Sequence, residues 1–477
     1  MRGVLWRVGG GAVLGLVLQA SSAWSQEFKV PELTPDEQKA MAVIQQGMVT
    51  STISFLSSDE MAGRDTPSKE LNIASAYVAA RFRGAGLEGL GPNGSFYQTN
   101  ELQQYGAPAT NATLKVGASE IQVLGTVFGP DAASEVRSAV VSDKDDVSGK
   151  LVVMDEPALP PQTVPNPLVA TVAVARRIAP IVAKKPAGIL IRVAEGSSLP
   201  DSVAANQGKA VSMPAQFQYA LPVVLIPASA KLEGEAELKA PARVSNAAQV
   251  HNVVAVLRGS DPELSRQAIL ITAHLDHIGT LQGDRQGDKI NNGADDNATG
   301  STAVITLADA FAALETKPAR SVIFMTFWGE EKGLLGSKYF AEKPLWPLEN
   351  IVANVNIEMI GRPEVGADEK MWGTGWTRST LGPQLAVGAK RAGVEVFHRE
   401  DVSEMLYARS DNYSFVQKGV IAHSFSAGSL HNDYHQPSDE FSKLNVKHMT
   451  RIIQGLFAGC LPLAKNQLTP TKTDARP

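Results

Sequence analysis

The sequence predicts an α/β fold, with a largely parallel mixed sheet covered by helices on both faces and a smaller β-rich domain inserted ahead of it. From about residue 248, near-continuous apolar strands such as AILITA (268–273) alternate with helices such as STAVITLADAFAAL (301–314). Strands without polar alternation are buried on both faces, as in parallel sheets. The chain has 477 residues, 44% of them hydrophobic, which suits two or three globular domains.

The first 25 residues have the pattern of a signal peptide. Arg2 and Arg7 give a positive start, an apolar run follows, and Ala23 and Ser25 stand at the spacing that signal peptidase accepts. The apolar run is short for a membrane span, and a short anchor helix is the alternative interpretation. We therefore expect cleavage after Ser25 and a mature protein in the periplasm or outside the cell, without stable membrane insertion.

The rest of the chain divides into segments of different character. TPDEQKAM opens on Thr34 as a helix cap with Pro35 in the first turn, and a second helical pattern stops at Gly84 and Gly86. Farther on, AGILIRVAE and LPVVLIP are short β-branched runs bounded by Gly and Pro. The predicted segments are a helical segment at 26–104 that packs against the last domain, a β-rich insert domain at 105–247, the α/β domain at 248–465 and a disordered tail at 466–477.

Polar side chains follow the predicted strands of the α/β domain where each strand ends. In an open α/β sheet, ligands bind beyond the carboxyl ends of the strands. Several separate segments therefore deliver histidines and carboxylates to one edge of the sheet, which predicts a metal site. These candidates are His274, Asp276 and His277 after the first strand of the alternating region, Asp295 and Asp296 in a glycine-rich loop, Glu330 and Glu331, Glu358, and His431, Asp433, Tyr434 and His435.

The types of these side chains indicate which metals they would hold. Imidazole and carboxylate ligands without thiolate suit zinc, and also manganese or cobalt. Even two histidines and three carboxylates from this set exceed the needs of one tetrahedral zinc, and a carboxylate that bridges two ions uses them more naturally. Adjacent residues on an extended chain point to opposite sides, so one of Glu330 and Glu331 can bind a metal while the other faces a water molecule.

Composition excludes other kinds of site. The formal net charge is −5 and no basic run is present, so no nucleic-acid partner is expected. Cys460 is the only cysteine, which rules out an intrachain disulfide and an all-cysteine metal site. The oligomeric state stays open.

Five motifs stand in order within residues 250–460: AHLDHIG, NNGADDNATGSTAV, FWGEEKGLLGS, NIEMIG and DYHQPSD. Together they resemble the M28 family of di-zinc aminopeptidases, which are metallopeptidases with a zinc-exopeptidase-like α/β domain. EMAGRDT, near residue 60, resembles part of the leading helical segment of family members. The β-rich middle of the chain resembles the protease-associated domain that some members insert.

The resemblance implies a role for individual residues. His274 and Glu358 would bind the first of two divalent ions, most simply Zn²⁺, and Glu358 stands where the family usually has Asp. Glu331 and His435 would bind the second ion, and Asp295 would bridge both. Glu330 would be the general base toward a water that bridges the ions, Tyr434 would polarise the scissile carbonyl, and Asp276 would orient His274 from behind.

The function that these roles imply is an aminopeptidase acting on peptides with a free N-terminus. A single-zinc glutaminyl cyclase on the related fold is one alternative, although it would not need a full bridging set. A peptide-binding relative without activity is another, but the only ligand change, Asp to Glu at 358, keeps a carboxylate. The preferred N-terminal residue is not determined by these motifs.

Overall fold

The computed structural model describes residues 28–158, 167–210, 217–281, 286–428 and 430–473. The predicted signal peptide and its cleavage site lie outside these residues. Among the described helices, none is long and apolar enough to cross a membrane.

The helices form where the sequence supplies caps and apolar faces. The first begins at a capping box, because the Thr34 hydroxyl accepts from the Glu37 amide and the Glu37 carboxylate accepts from the Thr34 amide. The α-helices are α1 (Pro35–Met41), α2 (Gln46–Leu56), α3 (Lys69–Gly84), α4 (Pro167–Val182), α5 (Leu199–Ala205), α6 (Gly300–Ala312), α7 (Leu335–Glu342), α8 (Leu381–Lys390), α9 (Asn412–Val416) and α10 (Val446–Ala464).

The strands belong to two sheets. Those of the first sheet are β1 (Glu88–Gly89), β2 (Tyr97–Gly106), β11 (Val244–Leu257), β12 (Ala268–His274), β13 (Ser321–Phe327), β14 (Ile351–Ile357), β15 (Lys370–Gly373), β16 (Glu395–His398) and β17 (Ala422–Ser426). Those of the second are β3 (Thr113–Val116), β4 (Ser119–Ile121), β5 (Gly125–Phe128), β6 (Ser134–Ser142), β7 (Leu151–Asp155), β8 (Gly188–Val193), β9 (Val223–Pro227) and β10 (Glu235–Ala240).

The first sheet is mixed, with the order β1-β11-β13-β12-β14-β17-β15-β16 and β2 paired to β11. Its centre, from β13 through β12 and β14 to β17, is parallel. Both faces are covered: Ile269 and Ile271 of β12 join a core with α6 and α10, while Ala268 and Leu270 join a core with α7 and α9. This burial on both sides explains the continuous apolar strands and confirms the predicted fold class.

The N-terminal segment belongs to the same body as the first sheet. Buried side chains of α1, α2 and α3 lie in the core that contains α6 and α10. The end of the segment 26–104, predicted to be helical, instead forms strand β2, which continues to Gly106. This strand pairs antiparallel with β11, from Tyr97 opposite Val253 to Gly106 opposite Val244. The sequence YQTNELQQYG has only a weak preference for a strand. It forms one because it pairs with β11, a strand distant in sequence.

The second sheet, built from residues 113–240, has the order β4-β3-β10-β6-β7-β8-β9-β5. Its central strands β6 to β9 are parallel, and α4 and α5 cover one face. The predicted helix in this region is α4.

The segment 466–473, predicted as part of a disordered tail, is ordered against the first sheet's body. Lys472 pairs with Ser379, the Thr471 carbonyl accepts from the Thr380 amide at 2.9 Å, and the Thr473 amide donates to the Arg378 carbonyl at 3.1 Å. Backbone hydrogen bonds of this kind are not visible in composition, so the predicted disordered tail differs from the structure over residues 466–473, and residues 474–477 lie outside the described part of the chain.

Candidate metal centre

The ends of three adjacent parallel strands build the site. β12 ends at His274, β13 leads into Glu330 and Glu331, and β14 leads directly into Glu358. Because β12 lies between β13 and β14 and all three run the same way, their carboxyl ends meet at one edge of the sheet. The loop before α6 supplies further carboxylates at this edge.

A first cluster forms around the imidazole of His274. Its Nε2 lies 2.9 Å from Glu358 Oε1 and 3.3 Å from Asp296 Oδ1. His274 is buried, and its Nδ1 lies 3.0 Å from the backbone oxygen of Asp276. Since a carbonyl only accepts, Nδ1 donates its N–H in that contact, and Nε2 faces the two carboxylates.

A second cluster lies beside the first and consists of His277, Asp296, Glu331 and His435. Glu331 Oε1 is 2.8 Å from His277 Nδ1, and Glu331 Oε2 is 3.1 Å from His435 Nε2. Asp296 Oδ2 is 3.1 Å from His435 Nε2 and 3.8 Å from His277 Nδ1. Asp296 therefore belongs to both clusters, with one oxygen toward each.

The carboxylate that the two clusters share is Asp296, whereas Asp295, to which the resemblance gave the bridging role, lies in neither cluster. Asp295 points away from the clusters, where its Oδ1 accepts from the Gly361 amide at 2.8 Å and its Oδ2 lies 3.2 Å from His431 Nε2. The Asp439 carboxylate accepts from the backbone amides of both Asp295 and Asp296. These two hydrogen bonds hold the loop so that the Asp296 side chain faces the clusters and the Asp295 side chain faces away from them.

A glycine before these two acids makes the loop possible. Gly293 has φ +55°, and a Cβ there would lie 2.4 Å from the Asp296 carbonyl oxygen and from the His277 ring. A side chain at this position would therefore push apart the two residues that the second cluster brings together.

The carboxylate of Asp276 supports the site indirectly. It accepts from the Glu330 amide at 3.1 Å and from the Thr66 hydroxyl at 3.0 Å, while the Asp276 backbone oxygen holds the His274 ring. Burial raises the pKa of Asp276 to about 6. Its contact with Glu330 fixes the turn from which both glutamates project.

Glu330 lies in a strongly acidic, partly buried environment. Burial raises the pKa of its carboxyl well above the usual value, and the nearby carboxylates of Glu331 and Glu358 add to this although His274 opposes it. A carboxyl that is hard to ionise is a good proton acceptor once it is ionised, which is the property of a general base.

Two imidazoles of the site, those of His274 and His435, have raised pKa values beside these carboxylates. Burial alone would lower the pKa of His274, but Glu358 and Glu330 hold it well above the usual value. Burial also opposes protonation of His435, yet contacts with Asp296 and Glu331 raise the pKa of His435 to about 10. The same imidazoles keep the pKa of Asp296 well below its usual value despite burial. The clusters thus favour positive charge between the carboxylates.

Glu358 uses its extra methylene to contact two groups at once. Its Oε1 faces His274, while its Oε2 accepts from the Ser410 hydroxyl at 2.6 Å and from the Asn356 amide at 3.2 Å. Because Oε2 is occupied, one oxygen remains for the first cluster.

Tyr434 and His435 occupy one turn at the rim of the site. Their rings stack at a centroid distance of 3.9 Å, and His435 adopts φ +57°. Burial and the nearby carboxylates, Asp296 first, raise the pKa of Tyr434, so its hydroxyl keeps its proton. A neutral phenol near the clusters is able to donate a hydrogen bond.

Several supporting residues were not found from the sequence. Arg64 is fully buried and donates to the backbone oxygens of Leu275, Asn292 and Gly293 at 2.8, 2.9 and 3.1 Å, and also to Leu56. Arg64 lies in the motif EMAGRDT, whose pattern predicts a polar loop between helices. The resemblance of this motif to family members was the only signal in the sequence that pointed to Arg64. The sequence also contains no signal of burial for Thr66, Asp439 and Ser410, because the local sequence around a polar residue does not show whether its side chain is buried.

The donor atoms of the clusters fit a cation. Within the described residues, five buried side-chain atoms of the second cluster have no hydrogen-bond partner: both ring nitrogens of His277, Asp296 Oδ2, Glu331 Oε1 and His435 Nε2. Buried polar atoms are normally paired, and unpaired ones are costly. Atoms of ligand type that converge within 4.8 Å without hydrogen bonds are what a metal site requires.

Comparison with known proteins identifies a family for part of the chain. Residues 252–458 match the model of Peptidase family M28. A probable zinc metalloprotease of Pyrenophora teres f. teres is 36% identical over 113 residues, 24% of this chain and 23% of that protein. An aminopeptidase of Pseudomonas aeruginosa is 33% identical over 120 residues, 25% of this chain and 19% of that protein. The chain therefore matches about a quarter or less of the length of these relatives.

The fold has a solved counterpart. The aminopeptidase from Aneurinibacillus sp. strain AM-1 aligns with 92% of this chain and 98% of its own, with a TM-score of 0.53 and 18% sequence identity. This likeness concerns the fold and extends to both sides of the matched segment.

Proposed function

Because residues 252–458 match the model of Peptidase family M28, we propose that the chain is a zinc aminopeptidase that removes N-terminal residues from peptides. The observation that carries the proposal is the pair of clusters that share Asp296, in the second of which buried ligand atoms converge without hydrogen-bond partners. The names of the relatives support the same reaction class, since one is a probable zinc metalloprotease and another an aminopeptidase.

Two divalent ions are proposed as the cofactors. His274, Glu358 and one oxygen of Asp296 would hold the first, and Glu331, His435 and the other oxygen of Asp296 the second. When bound, such ions make water more acidic and stabilise negative charge on the carbonyl oxygen under attack. This assignment keeps the predicted ligands with Asp296 in place of Asp295.

The protein's own groups would then move the proton and orient the substrate. Glu330 would accept a proton from the attacking water and pass it to the leaving nitrogen, which needs a carboxylate beside the first cluster. Its position near His274 supports this role. Tyr434 would donate a hydrogen bond to the scissile carbonyl oxygen. The surrounding carboxylates favour a substrate with a free, positively charged N-terminus.

Export is proposed as part of the function. The pattern of residues 1–25 supports an extracytoplasmic peptidase, located in the periplasm or outside the cell. Peptides with a free N-terminus are the proposed substrates.

The deciding experiment compares free and blocked peptides. Zinc-loaded protein should release the N-terminal amino acid from a panel of unblocked peptides and leave their N-acetylated counterparts intact. Chelator treatment should abolish release, and zinc should restore it. Zinc binding without release from any unblocked peptide would overturn the proposal and favour a binding protein, while cyclisation of N-terminal glutamine without hydrolysis would favour a cyclase.

A further inference from the structure

His277 is a buried histidine whose ring has no ordinary partner. Its side chain is inaccessible to solvent, and neither ring nitrogen makes a hydrogen bond within the described part of the chain. The sequence analysis counted His277 among the candidates at the sheet edge but gave it no ligand role. The structure instead sets its ring at the second cluster, 5.4 Å from the His435 ring and nearly perpendicular to it.

The short contact of His277 with Glu331 does not have hydrogen-bond geometry. The two atoms, Nδ1 and Oε1, are 2.8 Å apart, yet both remain without a hydrogen-bond partner because the direction of approach is wrong. An imidazole that only oriented Glu331 would direct its N–H at the carboxylate oxygen. A lone pair and a carboxylate that converge on a common point are the arrangement of two ligands of one ion.

The distances within the second cluster fit a tetrahedron of donors. Ligands of a tetrahedral zinc stand about 3.3–3.6 Å apart when the bonds are about 2.0–2.2 Å long. The measured separations are 2.8 Å from His277 Nδ1 to Glu331, 3.8 Å from His277 Nδ1 to Asp296, and 3.1 Å from His435 to each of the two carboxylates. They bracket the expected value.

The first cluster is less complete. It offers three donors, from His274, Asp296 and Glu358, and the second oxygen of Glu358 is held by Ser410 and Asn356. Three protein donors leave a tetrahedral ion with one free position, as in catalytic zinc sites, whereas four donors close it, as in structural sites.

We propose that His277 is the fourth protein ligand of the second ion, so that this centre is closed and the first centre alone keeps an open position. The inference rests on the proposed two-metal function and assigns different work to the two ions. The closed centre binds the tighter ion and holds Asp296 and the His435 turn in place. The open centre, next to Glu330, receives the water or the substrate.

Zinc titration of the chelator-treated full chain tests the proposal. Wild-type protein should show two classes of site. Loss of a group that merely supports a ligand costs about 10–100-fold in metal affinity, so His277→Asn should weaken the tighter class by about 10²-fold or more. His448→Asn is the matched control: His448 is also buried, but its Nδ1 accepts from the Glu369 amide, and both classes should keep their wild-type affinity.

X-ray absorption of the wild-type protein loaded with one equivalent of zinc gives a second readout that needs no variant. Two imidazoles should surround the ion if the closed centre fills first, and a single imidazole would overturn the proposal. Wild-type affinities in a folded His277→Asn protein would overturn it as well. Both readouts measure binding, so they are separate from peptide release: an inactive wild type with two imidazoles on the first zinc would overturn the proposed function alone.

Discussion

Replacing Asp296 with Asn removes the one carboxylate that reaches both clusters, while the same change at Asp295 leaves both clusters intact. Asp296 lies 3.3 Å from His274 and 3.1 Å from His435 through different oxygens. We therefore expect Asp296→Asn to lose at least one of two bound zinc ions and Asp295→Asn to keep both. Comparing the two variants tests whether Asp296, and not Asp295 as expected from the sequence, is shared by the two metal sites. The comparison is well matched because the two residues are chemically identical neighbours.

The magnitudes follow from the contacts of each residue. With free zinc at about 100 times the dissociation constant, each ion stabilises the folded state by about 2.7 kcal/mol, and Asp296→Asn should lose this gain for at least one site. Asp295 accepts from Gly361 and contacts His431, and an amide keeps only one acceptor oxygen. Asp295→Asn should therefore cost about 1–3 kcal/mol with or without zinc, because one buried donor is left unpaired.

Guanidinium unfolding with and without zinc separates these effects, because the difference between the two curves reports the zinc contribution alone. Elemental analysis of the dialysed proteins counts the ions. Full zinc stabilisation and two ions in Asp296→Asn would refute the assignment of the bridge. So would loss of zinc in Asp295→Asn with Asp296→Asn unaffected.

Three further predictions concern single groups of the site. The metal-free protein should lose stability as the pH rises from about 6.5 toward 10. The pKa of His435 is about 10 in the folded protein and about 6.5 ordinarily, so the stabilising charge on His435 is lost over that range. Thermal unfolding in the presence of a chelator measures this loss. Glu330→Gln should reduce turnover by about 10²–10⁴-fold while zinc content stays constant, because only the proton acceptor is removed. Glu358→Asp should weaken zinc at the first cluster by about 10–100-fold, because the shorter side chain cannot reach both His274 and Ser410; zinc titration measures it.

Each of these has a matched comparison. The zinc-loaded protein should not show the pH dependence of the metal-free form, since the ion takes the place of the proton on His435. Glu331→Gln should lose zinc where Glu330→Gln keeps it, and equal turnover of Glu330→Gln and wild type would exclude Glu330 as the base. Ser410→Ala removes one anchor of Glu358, so it should weaken the same zinc less than Glu358→Asp does. Unchanged affinity in both variants would mean that the longer side chain at 358 has no effect on the metal.

The strands at the centre of the first sheet were predictable because their pattern has one explanation. β12 is apolar on both faces, with Ile269 and Ile271 in one core and Leu270 in the other. Such a strand is stable only between two layers, and polar residues at its end must then lie at the sheet edge. The placement of His274, Glu331 and Glu358 follows from that rule.

The choice between neighbouring residues was not predictable, because it depends on contacts from distant parts of the chain. Asp295 and Asp296 are told apart by the amide contacts of Asp439 and by the left-handed Gly293. His277 is placed by the N-terminal loop, since its amide donates to the Arg64 carbonyl and it pairs with Asp65. No local pattern of the motif AHLDHIG contains this information.

Arg64 sets a limit on how the chain can be divided. The segment that matches the family model begins at residue 252, almost 190 residues after Arg64. The guanidinium of Arg64 nevertheless donates to carbonyl groups of the loop that follows His274 and of the loop that precedes Asp295. Thr66 joins the same region to Asp276. A chain trimmed to the matched segment would cut strand β11 at residue 252, remove the partner strands β1 and β2 of its remaining residues, and leave those carbonyls unpaired. The segment that matches the family model is therefore smaller than the unit that folds together, and we expect a minimal folded fragment to need residues 59–106 as well.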